Sequence, residues 1–206
     1  VSVRIHPTAI VEPGVELGEG TSVWDNVHIR GPARIGRSCI VGGKSYVAYG
    51  VEIGDFTKIN SFVYIPTGVT VGRGVMISAG TIFTNDPNPR ATDPDLLGLQ
   101  DSGWQTGHET TVVEDGASIG AGCRIGPGVR IGAFAMVGMG AIVTKDVAPF
   151  HLVIGAPART VGAVCRCGTV VHRGDLGPAR EVDCPTCGRA YGIAGGAVLE
   201  LERAPA

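Results

Sequence analysis

Every sixth residue from Ile5 to Phe83 is aliphatic or, at the last step, aromatic: Ile5, Val11, Leu17, Val23, Ile29, Ile35, Val41, Val47, Ile53, Ile59, Ile65, Val71, Ile77 and Phe83. Four residues after each stands a small or β-branched residue, as at Ala9, Thr21, Ala33, Cys39, Ser45, Thr57 and Val75. An α-helix repeats near 3.6 residues and a plain strand every 2, so neither keeps a strict period of six. A triangular solenoid does. Each hexapeptide is then one short flat strand plus a turn, and three hexapeptides complete a coil. The aliphatic residue points inward, the small residue fits near the corner, and successive coils pair as parallel strands. About six to seven coils are expected.

The period stops after Phe83 and resumes at Val113, Ile119, Ile125, Ile131, Val137 and Val143, with small partners at Ala117, Cys123, Val129, Ala135, Ala141 and Val147. The thirty residues from Phe83 to Val113 are a multiple of six, so the phase survives the gap. Composition agrees with a narrow interior and frequent turns: glycine fills 33 of 206 positions and aromatic residues only 5%. The all-β expectation is a β-helix over residues 1–160, a loop at 84–112 and a small tail at 161–206.

Long loops inside compact domains are usually functional. This one leaves a rigid scaffold and returns in register, which suits a binding loop. It carries Trp104, a large apolar ring that needs something to cover. It opens as Phe83-Thr84-Asn85-Asp86-Pro87-Asn88-Pro89-Arg90-Ala91.

That opening resembles the Phe-Thr-Asn-x-x-x-Pro-Arg motif of nucleotide-linked 3-amino-sugar N-acetyltransferases. Ile5-His6-Pro7-Thr8-Ala9, Trp24 with His28, Gly116-Ala117-Ser118-Ile119-Gly120-Ala121 and Gly155-Ala156-Pro157-Ala158-Arg159 resemble the same family. The likeness runs over about residues 3–162. It implies a left-handed parallel β-helix, a homotrimer with active sites between neighbouring helices, acetyl-coenzyme A as acyl donor, and a dTDP- or UDP-linked amino sugar as acceptor. It also implies sugar-nucleotide contacts from Arg90, Asn60, Tyr64 and Trp104. The stretch Gly138-Met139-Gly140-Ala141 resembles the family's pantetheine path, so Gly138, Gly140 and Ala141 are expected along the coenzyme, with Lys145 and Arg159 at its phosphates.

Acyl transfer to an amine needs a neutral amine, a held carbonyl and a proton acceptor. Asn85 can orient the amine through its carbonyl oxygen, and Asp86 can take a hydrogen bond or the proton. The coenzyme A thiolate can also take that proton. An Asx-type turn is the structural alternative for Asn85-Asp86-Pro87, and it is compatible with substrate contact. His28 is a further acid–base candidate because an unperturbed histidine titrates near neutrality. Its slot, one residue before the inward Ile29, is an outward one, equally suited to a surface histidine. His108, in the loop, is a weaker candidate.

Of six cysteines, Cys39 and Cys123 fall on small inward slots and belong to the core. The pairs Cys165-Arg166-Cys167-Gly168 and Cys184-Pro185-Thr186-Cys187-Gly188, sixteen residues apart, read as a zinc ribbon holding structural zinc. Disulfides are the competing reading, and His172 could replace one ligand. Zinc ribbons often touch nucleic acid, but residues 161–206 hold five arginines against five acids, and the whole chain has a formal net charge of -2. No nucleic-acid partner is expected.

No apolar run approaches the roughly 18–20 residues of a membrane span. The opening Val1-Ser2-Val3-Arg4-Ile5-His6-Pro7 lacks the apolar core of a secretory signal. The expectation is a cytoplasmic protein. Two other classes share the architecture. Trimeric β-helical carbonic anhydrases are faintly resembled by Ser22-Val23-Trp24-Asp25-Asn26-Val27-His28-Ile29-Arg30-Gly31, but they need three histidines on one zinc. A non-catalytic trimeric scaffold would bind no acetyl-coenzyme A.

Overall fold

The computed structural model describes residues 2–100 and 110–202. All regular elements among them are strands. Three walls rise in parallel, and the chain visits them in turn. The first begins at Arg4–Ile5 and climbs through Ser22–Val23, Ile40–Val41 and Lys58–Ile59 to Met136–Val137 and His151–Gly155. The second runs from Ile10–Val11 to Ile142–Val143 in seven strands, and the third from Val15–Leu17 to Arg130–Ile131 in six. The parallel part of the first wall has eight strands, one level more than the tallest stack expected from the sequence. Together with the hexapeptide sequence this is a left-handed parallel β-helix.

Pairing confirms the phase. Ile29 faces Val47 eighteen residues on, which is one coil. Across the loop, Phe83 faces Ile125 and Val71 faces Val113, both forty-two residues apart. The loop is therefore an insertion of twenty-four residues into a single coil. The six-step residues stack inside: Ile29, Ile65, Ile125 and Ile131 are fully buried.

The small corner slot has a polar purpose wherever it holds a hydroxyl. Thr57 Oγ1 donates to the Gly72 carbonyl at 2.9 Å and accepts the Val75 N–H at 3.2 Å. Ser45 makes the same pair of bonds, to the Asn60 carbonyl and from the Val63 N–H. Each side chain thereby satisfies two buried corner groups that the strands leave over. Cys39 and Cys123 occupy such slots, buried and unbridged, as expected. Their thiols point to the Gly54 and Gly138 carbonyls, and burial pushes both thiol pKa values up.

Corners also require left-handed backbone. Gly116 sits at one, with φ +69°, and a Cβ there would lie 2.3 Å from the Phe134 ring. Phe134 itself has φ 56° and stacks on Phe150 at 5.6 Å.

The tail continues the scaffold. Strand Ala158–Val164 turns back antiparallel on His151–Gly155 and extends the first wall, followed by Val170–Arg173. A separate antiparallel sheet, Arg180–Asp183, Ala190–Ala194 and Ala197–Leu201, completes the tail. A second small core joins the two regions through Phe150, Ala163, Cys165, Leu176, Tyr191 and Ile193. Among the described residues no helix is long and apolar enough to cross a membrane.

Candidate functional site

The loop leaves the second wall at Phe83, and Asn85 stands at its rim. The Asn85 side-chain N–H donates to the Thr67 carbonyl at 3.0 Å, one coil below. Anchored at its nitrogen, the amide keeps its oxygen without a partner among the described residues, available to an incoming N–H. Asp86 accepts the Asn88 N–H at 2.8 Å, so the Asx turn is real. Its second carboxylate oxygen has no such bond. Arg90 is exposed, and its guanidinium bonds only the neighbouring Pro89 carbonyl. Farther along, Leu96, Leu97 and Leu99 are 78%, 87% and 86% exposed, an apolar patch on the loop that the sequence reading passed over. Trp104 and His108 lie outside the described residues.

His28 lies on the outer face of the second wall. Its Nε2 meets Glu12 Oε1 at 2.7 Å, and the same carboxylate contacts Arg30 Nε at 3.3 Å and accepts the Gly31 N–H at 3.2 Å. These bonds, led by that of His28, hold the Glu12 carboxyl below its ordinary pKa. The His28 ring meets Tyr46 edge-on at 5.5 Å, and Tyr46 stacks on Tyr64 at 5.3 Å. Burial, then the neighbouring Tyr46, pushes the Tyr64 phenol up. Glu12, Arg30 and Tyr46 were not singled out from sequence. The signal was there: Glu12 to Arg30 and His28 to Tyr46 to Tyr64 are all steps of eighteen, one full coil.

The expected site residues fall on two corners. Asn85 and Lys145 share the corner that follows the second wall. Asn60, Gly138 and Gly140 share the corner that precedes it. Tyr64 lies on the wall between them. Asn60 lines a groove of about 380 Å³ with Trp24, Asp25, Gly42, Gly43 and Ser61. The groove exists because Gly42 has no side chain, since a Cβ would meet the Asn60 carbonyl carbon at 2.6 Å. Three coil levels, about 14 Å at the usual strand spacing, separate His28 from the coil that carries Asn85. One chain does not bring these two together. Gly138 packs against the Val153–Ile154 stretch, and Arg159 is exposed on the adjoining hairpin. Ala141 points into the core at 0% exposure, so only its backbone could face a coenzyme.

The four tail cysteines converge: their Sγ atoms all lie within 4.8 Å of one another. Cys165 and Cys187 are 3.3 Å apart, Cys167 and Cys184 3.5 Å, and none is bridged. A tetrahedral site with metal–sulfur bonds of about 2.3 Å sets sulfurs roughly 3.8 Å apart. The donor set fits such a site. Hydrogen bonding at Thr169 lowers the Cys167 thiol to about 6, and the Arg189 backbone N–H lowers that of Cys187. Burial pushes Cys165 up to about 12. Among the described residues this quartet is the only group of three or more His, Cys, Asp or Glu that could hold a metal, so no three-histidine centre forms around His28.

The bacterial transferase hexapeptide family (six repeats) matches residues 50–85 and 110–145, and the hexapeptide repeat of succinyl-transferase matches residues 32–61. The chain is thus a bacterial-transferase-type hexapeptide-repeat protein. The acyl-(acyl-carrier-protein)–UDP-N-acetylglucosamine O-acyltransferase of Brucella ovis is 33% identical over 99 residues, 42% of this chain and 36% of that protein. The chain spans about a third of the length of the curated relatives it matches. Among solved structures, PerB from Caulobacter crescentus, in complex with coenzyme A and GDP-perosamine, superposes with a TM-score of 0.49 at 26% identity, covering 79% of this chain and 58% of that one. The N-acyltransferase AntD from Bacillus cereus, in complex with dTDP and coenzyme A, gives 0.50 at 21% identity, covering 80% and 82%.

Proposed function

We propose that this chain is a coenzyme-A-dependent N-acyltransferase that moves an acetyl or similar acyl group to the amine of a nucleotide-linked 3-amino sugar. One observation carries the reading. At the rim of a transferase-type β-helix, Asn85 is pinned to the Thr67 carbonyl so that its amide oxygen is fixed and uncommitted. An oxygen held there accepts one N–H of the neutral amine and turns its lone pair toward the thioester. The new bond joins the amine nitrogen to the acyl carbon, and the carbon–sulfur bond breaks. The amine's proton passes to Asp86 or to the departing thiolate, and His28, set by Glu12, is the alternative acceptor. Backbone N–H groups of a facing coil would steady the oxyanion.

The curated relative from Brucella ovis joins acyl transfer to a nucleotide sugar by its name, which supports the acceptor class. Coenzyme A is assigned to the Gly138–Gly140 corner with Arg159, and Lys145 to a phosphate. Asn60, Tyr64, Arg90 and Trp104 are assigned to the sugar nucleotide. We place the protein in the cytoplasm as a homotrimer, so that a second subunit supplies the facing wall of each site. Zinc at Cys165, Cys167, Cys184 and Cys187 serves structure and supplies no step of the reaction.

Thiol release from acetyl-coenzyme A tests the roles. Asn85→Ala and Asp86→Asn should fold normally and lose about 10²–10⁴-fold in rate. Asp86→Asn should recover partly at higher pH, where more of the amine is free. A wild-type rate in both variants would move the chemistry elsewhere. Failure of the intact protein to bind acetyl-coenzyme A in a calorimeter would favour the scaffold.

A further inference from the structure

The cysteine quartet is wired to the last coil through one residue. Tyr191, fully buried, donates its hydroxyl hydrogen to Cys165 Sγ at 3.1 Å and accepts the Arg166 N–H at 3.1 Å. Its ring packs on Phe150 at 5.4 Å, and Phe150 stacks on Phe134, the residue lying over Gly116 at the helix corner. Arg166, between the two first cysteines, holds its guanidinium 4.5 Å over the same Phe134 ring. A second tie lies alongside: His151 Nε2, on the last parallel strand, hydrogen-bonds the Gly196 carbonyl of the tail sheet at 2.9 Å.

The covalent path is equally short. Strand Ala158–Val164 carries Arg159 near its start and leads directly into Cys165. It pairs with His151–Gly155, which pairs in turn with Met136–Val137, and the Gly138 N–H donates to the Val153 carbonyl. Two of the eight residues in the small second core are themselves cysteines of the quartet. So small a core does not hold a sheet alone and calls for a metal or cross-link.

We infer that the quartet is a latch on the coenzyme end of the β-helix. With four thiolates tied to one ion, the tail sheet is pinned over Phe150, and the surface of Gly138, Gly140 and Arg159 is held in shape. When the ion leaves, this end opens while the coils below stay closed. The inference rests on the metal reading above and extends it from a structural ion to control of coenzyme binding.

The test uses the full chain. Zinc content is measured first, then amide exchange is followed by mass spectrometry before and after chelation and after zinc is returned. Cys167→Ser, at an exposed ligand, supplies a metal-weakened form should chelation be slow. The latch predicts that peptides spanning 134–164 and 180–201 exchange at least about tenfold faster without metal. Peptides from 23–83 should be unchanged, and zinc should restore the difference. Coenzyme A affinity, read by calorimetry, should fall and return in step. A protein purified without zinc overturns the metal reading and the latch together. Zinc that can be removed with exchange at 134–164 unaltered overturns the latch alone, as does an opened end that binds coenzyme A as tightly as before.

Discussion

At its Arg4–Ile5 end the β-helix shows its interior to solvent, with Ile5 46% and Ile10 57% exposed, although both follow the rules that bury their counterparts higher up. At the other end Phe150 is 9% exposed, and Tyr191 and Ile193 beneath the tail sheet are nearly inaccessible. The hexapeptide is the same at both ends. The difference teaches that the repeat specifies a coil but not its closure: a residue in the inward slot is buried only if another coil, or something shaped to replace one, lies on top. The tail is that replacement here, and it follows no period of six.

The largest effect expected from this comparison is in the core. Ile77→Ala, at 0% exposure in mid-stack, should cost about 2–5 kcal/mol, whereas Ile5→Ala at the open end should cost about 1 kcal/mol or less. Urea unfolding of the two variants measures both, and equal losses would mean that the lower end is covered in solution.

A smaller effect separates two corner glycines of like backbone, Gly116 at φ +69° and Gly122 at +71°. Alanine at Gly122 meets nothing within 4 Å, so only the backbone cost of about 1 kcal/mol applies. Alanine at Gly116 would also strike the Phe134 ring, which raises the loss to about 1–3 kcal/mol and should loosen the tail. Equal melting temperatures for the two variants would show that Phe134 gives way freely.

The smallest is a pH effect at the capped end. Burial, partly offset by the Gly196 carbonyl, lowers the pKa of His151 below its ordinary value near 6.5. Above that value folded and unfolded forms are both neutral, and the docking contribution is complete. As pH falls through it, the unfolded form takes up a proton first, so stability is lost toward acid. Stability that is flat from pH 7.5 to 5.5, or unchanged in His151→Gln, would count against this contact.

The solenoid was legible because its signal is local: each aliphatic step and each small corner residue reports its own burial. The loop's phase and the core roles of Cys39 and Cys123 followed from the same count. The site was legible in part. Reading by six finds outward and inward slots, but only reading by eighteen tells which corner a residue occupies. Asn60 and Asn85 therefore looked like neighbours in function and stand at opposite edges of one wall. The cluster of Glu12, His28, Arg30 and Tyr46 was missed for the same reason. The tail's docking was not legible at all, because Tyr191 reaches Cys165 across twenty-six residues without any repeat to announce it.

The central claim, acyl transfer to a nucleotide-linked amine, is tested most directly by a mass-spectrometric screen. The zinc-loaded chain is incubated with acetyl-coenzyme A and a panel of dTDP- and UDP-linked 3-amino sugars, with UDP-N-acetylglucosamine and an acyl-carrier-protein thioester in a parallel arm. The account predicts that one amino sugar gains a single acetyl group on its nitrogen while coenzyme A is released, and that Asn85→Ala abolishes the product. Acylation confined to the hydroxyl of UDP-N-acetylglucosamine, or no transfer to any amine by a protein that binds the coenzyme, would contradict it.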